Sequence, residues 1–395
     1  MLTGKTIVLG MTGSIAAYKI ANLASMLVKL NADVHVIMTQ NATKFITPMT
    51  FETLTNNKCI VDTFDRNFSF DVKHVSLAKR GDLFMVAPCT ANVIGKVAGG
   101  ICDDMLTTTI MATKAPVLFA PAMNTGMWEN AILQDNLQKL QRFGYHIIQP
   151  VVGRLACGDT GSGKMSSEET LLEHILLHLA REKDLKGKRI LVTAGPTQEA
   201  IDPVRFITNH SSGKMGYAIA KMAVLRGAEV TLVSGPVGIQ PFAGIEKVDV
   251  KSAQDMFDAV TNRSADSDII IMCSAVADYR PAVYSEQKVK KHDDDLTIRL
   301  ERTQDILGWL GEHKREGQIL VGFSMETENL IDNSRAKLLK KHADVICANS
   351  IAGDKTGFAV DTNKVTLITP DAIEELPLCS KEETADRILD FLCIS

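Results

Sequence analysis

The sequence is poor in most of the signals that announce a function. Aromatic residues make up only 5% of the 395, which argues against a stacking platform for single-stranded nucleic acid. Neither sign of charge dominates. A net charge of -4 and a pI near 6.2 argue against a general nucleic-acid binder. The 8 cysteines form no C-x-x-C pair, so a zinc knuckle or redox dithiol has no support. No apolar run approaches the roughly 20 residues that span a bilayer. The first residues, MLTGKTIVLG, run into a strand without a signal-peptide cleavage pattern. The expected setting is reducing and cytoplasmic. The G-x-G-x-x-G spacing of a dinucleotide site and the G-x-x-x-x-G-K-[ST] of a Walker A loop are both missing.

What is present is a hydrophobic content of 45%, ample for buried cores, in a length that suits two domains. Apolar runs alternate with helical stretches. In the first half the predicted strands are Thr6–Leu9, Val34–Met38, Leu83–Ala87 and Val117–Ala120, with a helix over Ile15–Leu30. Ser166 to Glu169 reads as a capping box opening a helix striped by Leu171, Leu172, Ile175, Leu176 and Leu179. The charged stretch Arg181–Lys188 reads as a linker. The second half repeats the pattern with strands at Ile190–Thr193, Glu229–Val233, Ile269–Cys273, Ile319–Phe323, Asp344–Ala348 and Val365–Ile368. A helix over Ser380–Leu392 closes it. This is the α/β class, with two doubly wound, Rossmann-like parallel sheets whose ligands belong at the carboxyl ends of the strands.

Two glycine-bearing strand-to-helix turns stand out, Gly10–Ser14 and Asn209–Gly216. Each offers backbone N–H groups to phosphate. Further loops in the first half carry small and hydroxyl residues: APCTAN (87–92), PAMNTGMW (121–128) and ACGDTGSGKM (156–165). Together with GSIAAYK (13–19) they resemble the flavin-dependent cysteine decarboxylases. That resemblance implies bound FMN and conversion of 4′-phosphopantothenoylcysteine to 4′-phosphopantetheine and CO₂. FMN is held there by positions matching Gly13, Ser14, Ile15, Thr39, Pro88, Thr90 and Asn92. His74 becomes the expected acid/base group, Asn124 the holder of the substrate carboxylate, and Cys157 the proton donor on a closing flap. The chemistry is coherent. Loss of CO₂ from a cysteine-derived acid needs an electron sink, which reversible hydride transfer to a flavin provides. An imidazole titrates in the useful range. Cys89 receives no role, and Lys164 stands where an arginine is expected. His174 and His178, one helical turn apart, sit in no metal motif and read as structural.

In the second half, GPTQEAIDPVR (195–205), NHSSGKMG (209–216) and SAVADY (274–279) resemble phosphopantothenate–cysteine ligase. The implied reaction is activation of 4′-phosphopantothenate by CTP as an acyl-cytidylate, then displacement of CMP by the amine of cysteine. Lys288, in the run 288–291, would meet charge developing on the α-phosphate. Asn209, assisted by Arg205, would hold the acyl intermediate. Ala275, Asp278, Lys288, Asp305, Ile306, Leu307, Phe323, Lys337 and Lys341 are carried over as nucleotide contacts, with Asp278 linked to Mg²⁺. Thr303-Gln304 replaces the expected Asn-Pro before Asp305.

Across nearly the whole chain the resemblance is to the bifunctional family of coenzyme A biosynthesis. It implies an FMN-dependent decarboxylase over 1–185, a CTP-dependent ligase over 186–395, and a homo-oligomer, a dodecamer built from trimers of one domain and dimers of the other. Three other readings compete. A flavin-binding regulatory protein without turnover would have lost His74, Asn124 or Cys157. A decarboxylase of peptidyl cysteine would not carry the second half. A short-chain dehydrogenase needs Tyr-x-x-x-Lys, found here as Tyr217/Lys221 and Tyr284/Lys288, but with the dinucleotide glycines missing.

Overall fold

The computed structural model describes residues 1–64, 73–155, 158, 160–290, 297–326, 328–350 and 360–394. The chain divides into two compact units, Met1–Arg181 and Glu182–Ser395.

In the first unit the elements run β1 (Thr6–Met11), α1 (Ala17–Lys29), β2 (Asp33–Met38), α2 (Pro48–Thr55), α3 (Lys73–Arg80), β3 (Leu83–Cys89), α4 (Ala91–Gly99) and α5 (Met105–Ala112). They continue with β4 (Val117–Pro121), α6 (Thr125–Trp128), α7 (Ala131–Arg142), β5 (His146–Ile147), β6 (Val151–Arg154), β7 (Thr160–Lys164) and α8 (Glu168–Leu179). Among the described residues the sheet order is β2-β1-β3-β4-β5, all parallel. Strands β1, β3 and β4 are buried along their whole length. That is why each reads as a continuous apolar run rather than an alternating one. Phe84 and Phe119 anchor the core with Leu106, Leu133 and Leu140. Each buried phenylalanine contributes about 2–3 kcal/mol by area.

The second unit runs β8 (Arg189–Ala194), β9 (Gln198–Ala200), β10 (Phe206–Thr208), α9 (Lys214–Leu225), β11 (Glu229–Ser234), β12 (Ile245–Asp249), α10 (Ala253–Ser264) and β13 (Ile269–Met272). Then come β14 (Tyr279–Pro281), β15 (Leu300–Arg302), α11 (Ile306–Glu312), β16 (Ile319–Glu326), α12 (Leu330–Lys340) and β17 (Val345–Ser350). The last elements are β18 (Thr362–Asn363), β19 (Val365–Ile368), β20 (Ile373–Glu375), β21 (Cys379–Ser380) and α13 (Lys381–Ile394). The sheet order among the described residues is β12-β11-β8-β13-β16-β17-β19-β20. The first six strands are parallel, and β19 and β20 add antiparallel at the end. The short antiparallel strand pairs β9/β10 and β14/β15 form separate two-stranded sheets.

Several local expectations shift. Helix α1 starts at Ala17, not Ile15, because Ser14 forms a turn first. Its N–H bonds the Thr12 carbonyl and its hydroxyl takes the Ala16 N–H. The cap of α8 is Ser167, whose hydroxyl takes the Thr170 N–H, and not Ser166, which is buried and donates to the Gln149 carbonyl. The stretch read as a linker is packed in the second unit from Glu182 onward. Leu185 is buried, its N–H bonds the Arg226 carbonyl, and Asp184 pairs with Arg226. Arg226 itself is buried and also meets Asp386 and Asp390 of α13, so one guanidinium ties both ends of the unit together.

Candidate active sites at two topological switch points

In each sheet the chain reverses its direction of growth beside the first strand, between β1 and β3 in one unit and between β8 and β13 in the other. Crevices open at the carboxyl ends of such strand pairs. In both units a buried threonine bridges the gap. Thr12 Oγ1 donates to the Pro88 carbonyl at 2.7 Å and accepts the Thr90 N–H at 3.0 Å. Thr193 Oγ1 donates to Ser274 Oγ at 2.8 Å and accepts the N–H groups of Cys273 and Ser274, both at 3.1 Å. Neither threonine stood out in the sequence, because their partners lie 76 to 81 residues away.

Around Thr12 the loops bring together Gly13, Ser14, Ile15, Pro88, Thr90 and Asn92 at the ends of β1 and β3. Thr39 follows β2, its N–H bonded to the Met11 carbonyl. A side chain at Gly13 would meet Asn41 Cβ at 2.7 Å, so the turn and the loop after β2 require glycine to approach. Ile15 remains 56% exposed at the rim. Asn124 caps α6 by accepting the Met127 N–H at 2.8 Å through Oδ1, which leaves its amide NH₂ group as the donor. His74 lies half-buried in the first turn of α3, the helix that leads back into β3. Hairpin β6/β7 lies over Pro121–Thr125. The Met123 N–H bonds the Gly163 carbonyl at 3.0 Å, and a Cβ on Gly161 would stand 2.3 Å from Thr125 Oγ1. That hydroxyl is buried with no hydrogen-bond partner among the described residues. Cys157, between Arg154 and Thr160 in the sequence, lies outside the described residues. Cys89 is fully buried, and burial pushes its thiol well up, which suits a packing residue. Lys164 ends β7 and crosses Gly153.

The second crevice holds a cavity of about 480 Å³ lined by Asp278, Gln304, Asp305, Ile306, Leu307, Phe323, Lys337 and Lys341, with Ser274, Val276 and Thr303 among its other walls. An adjoining space of about 150 Å³ reaches Ser211, Ser212, Gly213 and Ala275 and shares Ser274 and Phe323 with the first. Lys288 lines neither; it is exposed on the long connection between β14 and β15. Lys337 donates to the Phe323 carbonyl at 2.8 Å, and Lys341 pairs with the Asp305 carboxylate. Burial pushes the Asp305 carboxyl up. The Lys341 hydrogen bond, the Gly308 N–H and the lysine charges outweigh this and leave it below its usual range. Asp278 presents its side chain to the cavity without a hydrogen bond or ion pair among the described residues. Asn209 is also at this edge, its amide donating to the carbonyls of Ala275 (3.2 Å) and Val276 (3.0 Å). Arg205 is engaged with Asp202 and with the Val289 carbonyl. Thr303, a departure from the expected pattern, closes the loop well: its N–H bonds the Asp278 carbonyl and its hydroxyl the Ala277 carbonyl. The glycines of the second turn are needed for close packing. Gly195 and Gly213 have positive φ, and a Cβ on Gly216 would lie 2.8 Å from the Thr193 carbonyl.

The first of the two dehydrogenase pairs is engaged elsewhere. Tyr217 is buried with its hydroxyl on Ser234, and Lys221 pairs with Glu382. Among the described residues no group of three or more His, Cys, Asp or Glu side chains could hold a metal ion. His178 Nδ1 lies 2.9 Å from the His174 carbonyl. No helix among the described residues is long and apolar enough to cross a membrane.

Comparison with known proteins decides the family. Residues 1–179 match the family described as Flavoprotein, and residues 185–394 match the DNA/pantothenate metabolism flavoprotein C-terminal domain. The coenzyme A biosynthesis bifunctional protein CoaBC of Bacillus subtilis is 46% identical over 98% of this chain and 97% of its own. That of Escherichia coli is 41% identical over 98% and 97%. The chain belongs to this bifunctional family of coenzyme A biosynthesis. It is an enzyme with two activities, a flavoprotein carboxy-lyase in one half and a ligase in the other. Among solved structures, the C-terminal domain of a CoaBC protein matches with a TM-score of 0.47 at 47% identity, over 54% of this chain and 97% of that one. A PPC decarboxylase mutant complexed with pantothenoylaminoethenethiol gives 0.41 at 30% identity, over 45% and 99%.

Proposed function

We propose that the crevice between β1 and β3 binds FMN and decarboxylates 4′-phosphopantothenoylcysteine, and that the crevice between β8 and β13 makes this substrate from 4′-phosphopantothenate, cysteine and CTP. The observation that carries the second half is the cavity in which Asp278, Asp305, Phe323, Lys337 and Lys341 converge.

The donor set of the first crevice fits FMN. The hydroxyls of Ser14, Thr39 and Thr90 and the amide of Asn92 suit a ribityl phosphate, and the strand order 2-1-3-4-5 is one in which other proteins hold FMN at the β1/β3 switch. The orphaned hydroxyl of Thr125 marks a polar position under the hairpin. When bound, the flavin supplies a reversible hydride acceptor, so that CO₂ leaves without an unstabilised carbanion. Asn124 orients the substrate carboxylate through its NH₂ group. His74 moves the proton at the substrate, and Cys157 returns one. The hairpin excludes water while this happens.

In the second crevice, Lys337 and Lys341 hold the nucleotide, and Lys288 stabilises charge on the α-phosphate during acyl transfer. Asp278 would hold the Mg²⁺ that accompanies the triphosphate, and the ion would supply positive charge beside the phosphates. Asn209 then holds the acyl-cytidylate for attack by the cysteine amine. A cytoplasmic homo-oligomer, a dodecamer by family resemblance, completes the proposal.

The test is mass spectrometry of products from the purified yellow protein given 4′-phosphopantothenate, cysteine, CTP and Mg²⁺. Appearance of 4′-phosphopantetheine supports both halves. Accumulation of 4′-phosphopantothenoylcysteine would refute the decarboxylase assignment, and absence of both would refute the ligase.

A further inference from the structure

Asp202 receives no role in the reactions above, yet it is among the most heavily bonded carboxylates of the second unit. Its side chain is 0% exposed. Oδ1 accepts the N–H groups of Val204 (2.9 Å) and Arg205 (2.8 Å), an Asx-type turn that shapes its own loop. Oδ2 faces the other way. It accepts Arg205 Nε at 2.9 Å and the Val289 N–H at 3.2 Å, and it pairs with Arg205 Nη2. Arg205 Nη2 in turn donates to the Val289 carbonyl at 3.0 Å. Val289 is therefore gripped at both its N–H and its C=O by one charged pair more than 80 residues earlier in the chain. A further bond, from the Ser285 N–H to the Ile201 carbonyl at 3.0 Å, fastens the same segment. The segment is part of the long connection between β14 and β15, and it carries exposed Lys288 next to Val289. A connection of that length would otherwise spread Lys288 over many positions, and ordering it costs conformational entropy.

We propose that Asp202 is a positioning residue of the ligase: with Arg205 it clamps Val289 and so fixes Lys288 for its work at the α-phosphate. The proposal rests on the reading of Lys288 given above. The two oxygens of Asp202 divide the labour, which makes the idea separable from a mere folding role. Asp202→Asn can retain the Oδ1 turn while replacing the second acceptor with an NH₂ group. That group can accept neither from the guanidinium nor from the Val289 N–H.

The experiment uses the full chain. Asp202→Asn is expected to keep the wild-type decarboxylation rate, to lower the melting temperature of the second unit by a few degrees because a buried charge pair is lost, and to speed amide hydrogen exchange across 285–290. The kcat for pyrophosphate release should fall about 30-fold with little change in KM for CTP, as expected for a displaced catalytic group. Combined with Lys288→Gln, it should add no further loss, because both changes remove one action. Unchanged exchange in Asp202→Asn would overturn the clamp alone. Multiplying losses in the double variant would show that Asp202 acts independently of Lys288 and would also overturn it. Wild-type pyrophosphate release by Lys288→Gln would instead sink the reading of Lys288, and the catalytic consequence with it, whatever the exchange shows.

Discussion

The hydroxyl of Thr193 reaches 2.8 Å across the switch point to Ser274 and accepts two backbone N–H groups from the same turn. A valine of the same shape would leave both N–H groups without that acceptor in a largely buried place. Thr193→Val should destabilise the second unit by about 2–3 kcal/mol and loosen the turn that walls both cavities. Denaturant unfolding measures the first effect and nucleotide KM the second. A stability equal to wild type would mean that the turn holds without the threonine.

Gly161 and Thr125 make a second test, because the hairpin lies so close over the Asn124 loop. Gly161→Ala puts a methyl group 2.3 Å from Thr125 Oγ1 and must lift the hairpin. Decarboxylation should fall tenfold or more, about 1.4 kcal/mol of barrier or greater, with ligation untouched. Adding Thr125→Ala removes the clashing hydroxyl and should restore part of the rate. At Gly163 no such rescue is available, since its Cβ would strike the Met123 carbonyl at 2.5 Å and its φ is +114°. Full activity in Gly161→Ala would show that the hairpin does not close on the site as described.

Much of this was legible in the sequence for a definite reason. The central strands are buried on both faces, so their residues are apolar throughout and the runs can be read directly. The edges were harder. β20 is three exposed residues and β5 is two, too short for any period to show. The antiparallel hairpins β9/β10 and β14/β15 went unread for the same reason. The loop motifs named the neighbourhoods of both crevices, yet not the residues that hold them in shape. Thr12, Thr193 and Thr303 work through partners that are remote in sequence, as Asp202 does at Val289, and a lone threonine or aspartate carries no local mark of such a partner.

Arg226 supplies the pH prediction. Its guanidinium holds the Asp184 carboxyl below the usual range, helped by backbone N–H groups against a small cost of burial. The folded state therefore binds this proton more weakly than the unfolded chain. The stabilisation is complete above the ordinary aspartate value and is lost as pH falls through the depressed one. Arg226→Gln should lower stability near neutrality by about 2 kcal/mol, moderated because its carboxylate partners are partly exposed. The gap from wild type should then narrow as the medium is made acid. A gap of constant size down to strongly acid pH would show that the loss is one of packing and not of charge pairing.

Asn124 offers the sharpest change at the proposed decarboxylase site, because its two amide atoms are given separate tasks there. Oδ1 caps α6 through the Met127 N–H, and an aspartate caps a helix as well as an asparagine does. Asn124→Asp therefore keeps the loop and its position over the strand end. What it exchanges is the NH₂ donor for a second anionic oxygen, which in the proposed site would face the carboxylate that the substrate must lose. Two like charges at such range in a partly desolvated crevice repel by several kcal/mol, so kcat/KM for decarboxylation should drop about 10³-fold. Pyrophosphate release and amide formation should stay at the wild-type rate, since they belong to the other unit. Protonating the new carboxyl restores a donor, so the variant should recover relative to wild type as pH is lowered toward the carboxylate range. Decarboxylation at the wild-type rate at neutral pH would remove Asn124 from the site. A loss that ignored pH would point to a disturbed loop in place of a misplaced charge.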